Sequence, residues 1–383
     1  MKSNQKNKTN IKEVFTSILS IIAFGGIGAV IGFTLSKNAM SCPLKGSSPI
    51  DGLLGGIIAL YLAFYIQVII HELGHMVFGL LTGYRFASFR VGNLMLVKIN
   101  GKLKFKKYSL AGTGGQCIMS PPDQVDGKIP YVLYNLGGAI FNFISSLIAF
   151  LLIKKLNTGF SLYVFLGTTL VSGLYLGVVN AIPIKKLGND GYNIKQISQS
   201  QKANQAFWGQ LKVNELQTNG IRIKDMPEEL LQMPTDEDLE NMIIASMAVF
   251  HTDSIMDRND FVEAEKEISS LLEKETNLHP LNRSLLKVDL IYTYLVNRTN
   301  LDKITDIIDK EFENFLKLMK KYPSVIRTEY AYATLRDKDE KKADKYLKEF
   351  DKVSKNFPYA SVIESEREKI EYAKKVYEKT VTN

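Results

Sequence analysis

Four histidines occur in the 383 residues, and two of them stand four apart in His71-Glu72-Leu73-Gly74-His75. On a helix, positions i and i+4 share a face, so both imidazoles can reach one ion. Glu72 then stands near the open coordination position, where it can take a proton from a water on the metal. In a chain with this few histidines, H-E-x-x-H arises by chance on the order of a few times per thousand. Its surroundings sharpen the signal, because residues 52–71 carry no Asp, Glu, Lys or Arg. Ionisable groups inside so apolar a stretch are costly unless paired or metal-bound, and at membrane depth they are functional by default. A polar cluster that only glues helices together is the weaker reading. His251 and His279 lie in a charged part of the chain and read as surface or packing residues.

A catalytic zinc takes three protein ligands and a water. Residues 1–200 offer few acids for the third: Glu13, Asp51, Asp123, Asp126 and Asp190, besides Glu72. Asp51 starts the motif's own apolar run at the far end. Asp123 and Asp126 lie in a loop. Asp190 follows an apolar run directly, in Asn180-Ala181-Ile182-Pro183 and then Gly188-Asn189-Asp190-Gly191. Pro183 should end the helix, and the two glycines let the backbone turn so that the carboxylate folds back. A helix-terminating surface turn is the alternative for Asn-Asp-Gly; beside the histidine motif, Asp190 as ligand is preferred.

The elements that must position these residues are apolar. Charge-free stretches run over 14–36, 52–71, 129–153 and 156–184. Each is about the length of roughly 20 residues that a helix needs to cross a bilayer. In lipid every backbone polar group must be satisfied internally, so helices are expected, near 14–36, 53–82, 131–153 and 160–184. Lysines and arginines concentrate before the first span, between the second and third, and after the fourth. The positive-inside rule makes that side, and both termini, cytoplasmic. The first run is long for a signal peptide and has no convincing cleavage site, so an uncleaved span is expected. His71 lies twelve residues before Gly83, roughly 18 Å along a helix, inside the membrane but nearer the cytoplasm. Asp190 approaches from that same side.

Between the second and third spans, Phe86–Ile99 is rich in β-formers, Asn100-Gly101 follows, and Lys102–Leu110 alternates. Asn-Gly between two such runs predicts a hairpin. The glycines at 112, 114 and 115, then Pro121-Pro122, predict irregular structure after it. The hairpin is either a plain cytoplasmic loop or an edge that pairs with an extended substrate.

A membrane-embedded H-E-x-x-H, a following β-hairpin and a later N-x-x-P…D-G at another span's end resemble the site-2 protease family of intramembrane zinc metalloproteases. The resemblance covers roughly residues 53–195. It implies one Zn2+ per chain held by His71, His75 and Asp190, with Glu72 as general base and transmembrane or signal-peptide-like segments as substrates. The family often carries G-P-x-x-N in the intervening span; Gly138-Ala139-Ile140-Phe141-Asn142 keeps the Gly and Asn. Asn142 can hold substrate or oxyanion, or make an interhelical hydrogen bond. Asn180 poses the same choice between substrate contact and a capping or interhelical role. The Pro183-to-Asp190 spacing is longer than the family's usual form, and no stretch suggests a PDZ insertion.

Charge divides the chain. Its net charge is +8, yet residues 1–200 hold 19 Lys/Arg against 6 Asp/Glu, while the remainder is slightly acidic. The basic excess sits between apolar runs, which excludes a nucleic-acid footprint. Cys42 and Cys117 form no zinc-cysteine spacing and no disulfide framework. After about 192 helical periodicity dominates, with amphipathic stretches near 235–252, 260–275, 280–298, 303–321, 324–336, 340–356 and 361–380. Pro234-Thr235-Asp236 reads as a helix start. Trp208 is either an interface anchor or packing in a junction helix.

The fold class expected is therefore an α-helical polytopic membrane protein of about four spans with a β-hairpin insertion, plus an all-α cytoplasmic domain of helical hairpins resembling tetratricopeptide repeats. The divisions are 1–52, 53–195 with a hairpin at 84–110, and 196–383. The function expected is zinc-dependent intramembrane endopeptidase in a bacterial plasma membrane. Expected partners are a membrane-embedded protein or peptide substrate, the lipid bilayer and a cytoplasmic protein at the helical domain, with no nucleic acid. A non-enzymatic membrane adaptor is the main competitor. Metal transport is weaker, since six acids leave little for a multi-site ion path.

Overall fold

The computed structural model describes residues 49–108, 113–156 and 160–381. The expected first span, 14–36, lies outside the described residues. Contacts divide the described residues into two compact units: one holds residues 49–74 with Leu136–Ile182, the other His75–Asn135 with residues 183–381.

The first unit is built from three apolar helices: α1 Pro49–Leu81, which continues into the second unit, α2 Val132–Lys155 and α3 Phe160–Ala181. All three are long and apolar enough to cross a membrane. Large apolar side chains such as Ile57, Tyr61, Phe64, Ile144 and Leu151 point outward, as lipid contact requires. The interior is polar. Gln67, fully buried on α1, donates to Ser145 Oγ at 2.9 Å and to the Thr169 carbonyl at 2.7 Å, tying the three helices together. Lipid tails are as apolar as leucine, so small residues and such amides hold these helices. Gly74 lies against the Gly137 backbone, and a Cβ at Gly173 would strike Ser146 and Gln67. α3 stops at Ala181, just before Pro183.

The second unit opens with a four-stranded antiparallel sheet, β1 Arg85–Val91, β2 Leu94–Ile99, β3 Lys102–Lys107 and β4 Gly115–Ser120, in the order β3-β2-β1-β4. The expected Asn100-Gly101 turn joins β2 to β3, both residues at positive φ (48° and 78°). Two features differ from expectation. Phe86–Ile99 is two strands, folded at Gly92 with φ 58°. The region placed in irregular structure contributes β4, which pairs with β1 through a bulge between Phe86 and Ser88. Pro121 and Pro122 lack the N–H that would continue the ladder, so the strand ends there.

Two helices follow, α4 Asp190–Ile197 and α5 Gln201–Thr218. They share a core with Tyr84 and Met119 from the sheet side, Tyr134 from the first turn of α2 and Met242–Ile244 from the next helix. Trp208 donates from Nε1 to the Pro122 carbonyl at 3.1 Å, so it serves packing in the junction helix. The longer of the remaining helices are α6 Met242–Asp257, α7 Phe261–Glu273, α8 Pro280–Asn297, α9 Lys310–Leu318, α10 Pro323–Ala331, α11 Glu340–Ser354 and α12 Ala360–Val381. A continuous apolar core runs through them, with Ala264, Ile268, Leu286, Ile326 and Phe350 buried. The first of them starts later than Pro234 suggests. Asn241 caps it by accepting from the N–H groups of Ile243 and Ile244, while 237–240 forms a tighter turn.

Candidate metal centre

His71, Glu72 and His75 lie near the C-terminal end of α1, with Glu72 and His75 buried. Each histidine is oriented by a different partner. In the first unit, His71 Nδ1 is 2.7 Å from Asn142 Oδ1. The Asn142 amide cannot be reversed, because its Nδ2 donates to the backbone carbonyl of Gln67 at 3.0 Å and to Gln67 Oε1 at 2.7 Å. The oxygen therefore faces the imidazole, and Nδ1 must carry the proton. In the second unit, His75 Nδ1 donates to the Tyr134 carbonyl at 2.8 Å. The Tyr134 ring is held by stacking on Tyr84 at 4.7 Å and by donating to the Cys117 carbonyl at 3.0 Å. With both Nδ1 atoms protonated, both Nε2 atoms keep a lone pair, the state a metal-ligating imidazole needs.

Close approach of α2 is built into the sequence. A Cβ at Gly138 would sit 2.5–2.6 Å from ring atoms of His71. Gly138 and Asn142 are i and i+4 on α2, so one face supplies both the space for His71 and its acceptor.

Asp190 is the first residue of α4 rather than part of an open turn. Gly188, at φ 57°, reverses the chain, and Asn189 caps the helix by accepting from the N–H of Tyr192 at 3.1 Å. Asn189 Oδ1 also accepts from the N–H of Ile184 at 3.1 Å, closing the loop that follows α3. Asp190 Oδ2 comes to 3.4 Å from His75 Nε2. Two ligands at about 2.0–2.1 Å from one tetrahedral zinc stand about 3.4 Å apart, so the pair fits a shared ion. His71 and His75 are one turn apart on an uninterrupted helix. With Asp190 they form the group whose ligand atoms all lie within 4.8 Å of one another, the one such group among the described residues.

Of the expected site residues, His71, His75 and Asp190 are brought together and Glu72 lies between the two histidines in the chain. Asn142 stands against His71. Asn180 donates to the Leu176 carbonyl of its own helix at 3.0 Å. Asp123 and Asp126 do not enter the group. Sequence reasoning missed Gln67, which orients Asn142, and Tyr134, whose contribution is a backbone carbonyl without a residue-type signal. Neither of the other histidines joins. His251 Nδ1 meets the Leu231 carbonyl at 2.7 Å, and His279 caps α8.

No curated protein and no solved structure matches the chain. Asp190 and all the helices after it lie outside the stretch that matches a family model. Residues 59–159, which carry His71, Glu72, His75 and Asn142, match the model of peptidase family M50, the site-2 protease family, so this stretch of the chain is similar to that family.

Proposed function

We propose that the protein is a zinc-dependent intramembrane endopeptidase that cuts peptide bonds in or near transmembrane or signal-peptide-like segments. The observation that carries this reading is the pair of histidines one turn apart on an apolar helix, each with Nδ1 against a carbonyl oxygen, which puts the ligating lone pair on Nε2. His71, His75 and Asp190 would hold the ion. A bound zinc supplies Lewis acidity and lowers the pKa of its water towards roughly 7. Glu72 accepts the proton of the attacking water and returns it to the leaving amine. Asn142 keeps His71 in its ligating tautomer, a positioning role.

A helical peptide bond is shielded by its own turn, so substrates must unwind locally, and cleavage near helix-breaking residues is expected. β3 forms one edge of the sheet, with Leu103 and Phe105 exposed, and an unwound segment can add to it as a strand. The substrate is a membrane-embedded protein or peptide.

The test is cleavage of reporter segments with Gly or Pro at mid-span, in proteoliposomes, by wild type and Glu72→Gln. Wild type should cleave, and Glu72→Gln should be inactive while retaining zinc. A Glu72→Gln protein as active as wild type would overturn the mechanism.

A further inference from the structure

Asp190 sits on α4, a helix of eight residues whose surroundings come largely from far downstream. At its start, the His279 ring packs on Gly188: a Cβ added there would lie 3.0 Å from Cδ2 and 3.2 Å from Nε2. One turn in, the buried Tyr192 accepts from Asn277 Nδ2 at 3.0 Å through its hydroxyl. At its far end, Gln196 Oε1 accepts from the Met242 N–H and the Gln196 carbonyl accepts from Asn241 Nδ2, each at 2.8 Å. Asn277 is itself fixed, its N–H donating to the Leu239 carbonyl at 2.8 Å, and His279 is fixed as the cap of α8. The short helix is therefore gripped at its start, middle and end by the segment 241–279. Its own length gives it little independent stability, since isolated helices shorter than about 12 residues are marginal.

We propose that the helical domain is the frame that positions the third metal ligand, with Asn277 and His279 as positioning residues for Asp190. This rests on the zinc reading above. A ligand carboxylate on a loosely held turn must be ordered when the ion binds, and that cost weakens binding; a frame that orders it beforehand removes the cost. The coupling is reciprocal. What loosens the frame weakens zinc, and zinc tightens the frame.

The experiment uses the full chain in detergent. Zinc affinity is measured by competition with a chromophoric chelator for wild type, Asn277→Ala, Tyr192→Phe and the double variant. Amide hydrogen exchange is followed in the metal-free proteins. Each single variant should bind zinc roughly three- to tenfold more weakly, the worth of one hydrogen bond, and the double no more weakly than the worse single. Exchange should quicken over 190–197 and stay unchanged over α10–α12, which a general loss of fold would not spare. His279→Ala supplies an independent arm: it should weaken zinc and quicken exchange over 190–197 as Asn277→Ala does, and Gly188→Ala, strained at φ 57° and pressed against the His279 ring, should weaken zinc more than either. Wild-type affinity and unchanged exchange in Asn277→Ala and Tyr192→Phe would overturn the positioning role while leaving the zinc reading standing. A wild type that binds no zinc would overturn both.

Discussion

Along α1, Ile57, Tyr61 and Phe64 face outward while Gln67 is fully buried; along α7, Phe261, Ala264 and Ile268 are buried while Lys266 is exposed. The two helices are inverted with respect to each other, and their neighbourhoods follow suit. Inside the membrane unit the buried polar groups around Gln67 and Asn142 are neutral amides and hydroxyls in mutual hydrogen bonds. Inside the helical domain they include full charges. Arg327, wholly buried, stacks on Tyr292 at 4.2 Å and donates to Glu366 at 2.8 Å and to Asp289. Lys369 donates to the same Glu366 at 2.9 Å. In water, apolar burial drives the packing and can carry a buried ion network. In lipid that drive is absent between helices, so close backbone approach and amide bonds must do the holding.

The largest effect is expected where charge is buried. Arg327→Ala leaves the buried Asp289 carboxylate without its guanidinium and Glu366 with Lys369 alone, and should destabilise the helical domain by about 3–5 kcal/mol in denaturant unfolding, whereas Arg327→Met should cost less. Losses below about 1 kcal/mol for the alanine variant would show the network to be incidental. The same cluster sets a pH dependence. Burial, helped by the Asp289 charge and opposed by Lys369 and Arg327, pushes the Asp253 carboxyl up to about 8. A carboxyl raised in the fold stabilises it fully below its unfolded pKa of about 3.9, and that stability is lost as pH rises towards 8. The melting temperature should therefore fall between pH 5 and pH 8.5, and Asp253→Asn should flatten the fall. An equal slope in both proteins would remove Asp253 from the account.

In the membrane unit the sharp effects come from added volume. Gly138→Ala must displace the His71 ring and should weaken zinc about 10- to 100-fold, the usual toll of disturbing a ligand's support. Gly167→Ala on α3, where nothing lies within 4 Å, should change nothing and serves as its control. Gln67→Leu, removing neutral hydrogen bonds in lipid, should cost only about 0.6–1.7 kcal/mol of stability. A larger loss there than at Arg327 would reverse the comparison between the two regions.

The sequence was most legible where residue type and spacing carry the physics directly. The i, i+4 histidines, the scarcity of acids that pointed to Asp190, the three later charge-free stretches and the Asn100-Gly101 turn all belong to that class. The Gly92 turn was hidden because the β-formers on either side read as one run. β4 was hidden because glycines precede it and prolines follow it, masking a six-residue strand. Asn142 carried an ambiguity that only the α1–α2 approach resolves, since its oxygen faces His71 only when Gly138 lets the helices close. The grip of Asn277 and His279 on α4 had no sequence signal, because it joins residues some 85 positions apart through one hydroxyl and one ring face.

The central claim is that His71, His75 and Asp190 hold one zinc. The most direct test is zinc per chain by elemental mass spectrometry on detergent-purified wild type, His71→Ala and Asp190→Ala, each checked for a cooperative melt. The account predicts about one zinc in wild type and loss of tight binding in both folded variants. A well-folded wild type without zinc, or an Asp190→Ala protein that binds it as tightly as wild type, would contradict it.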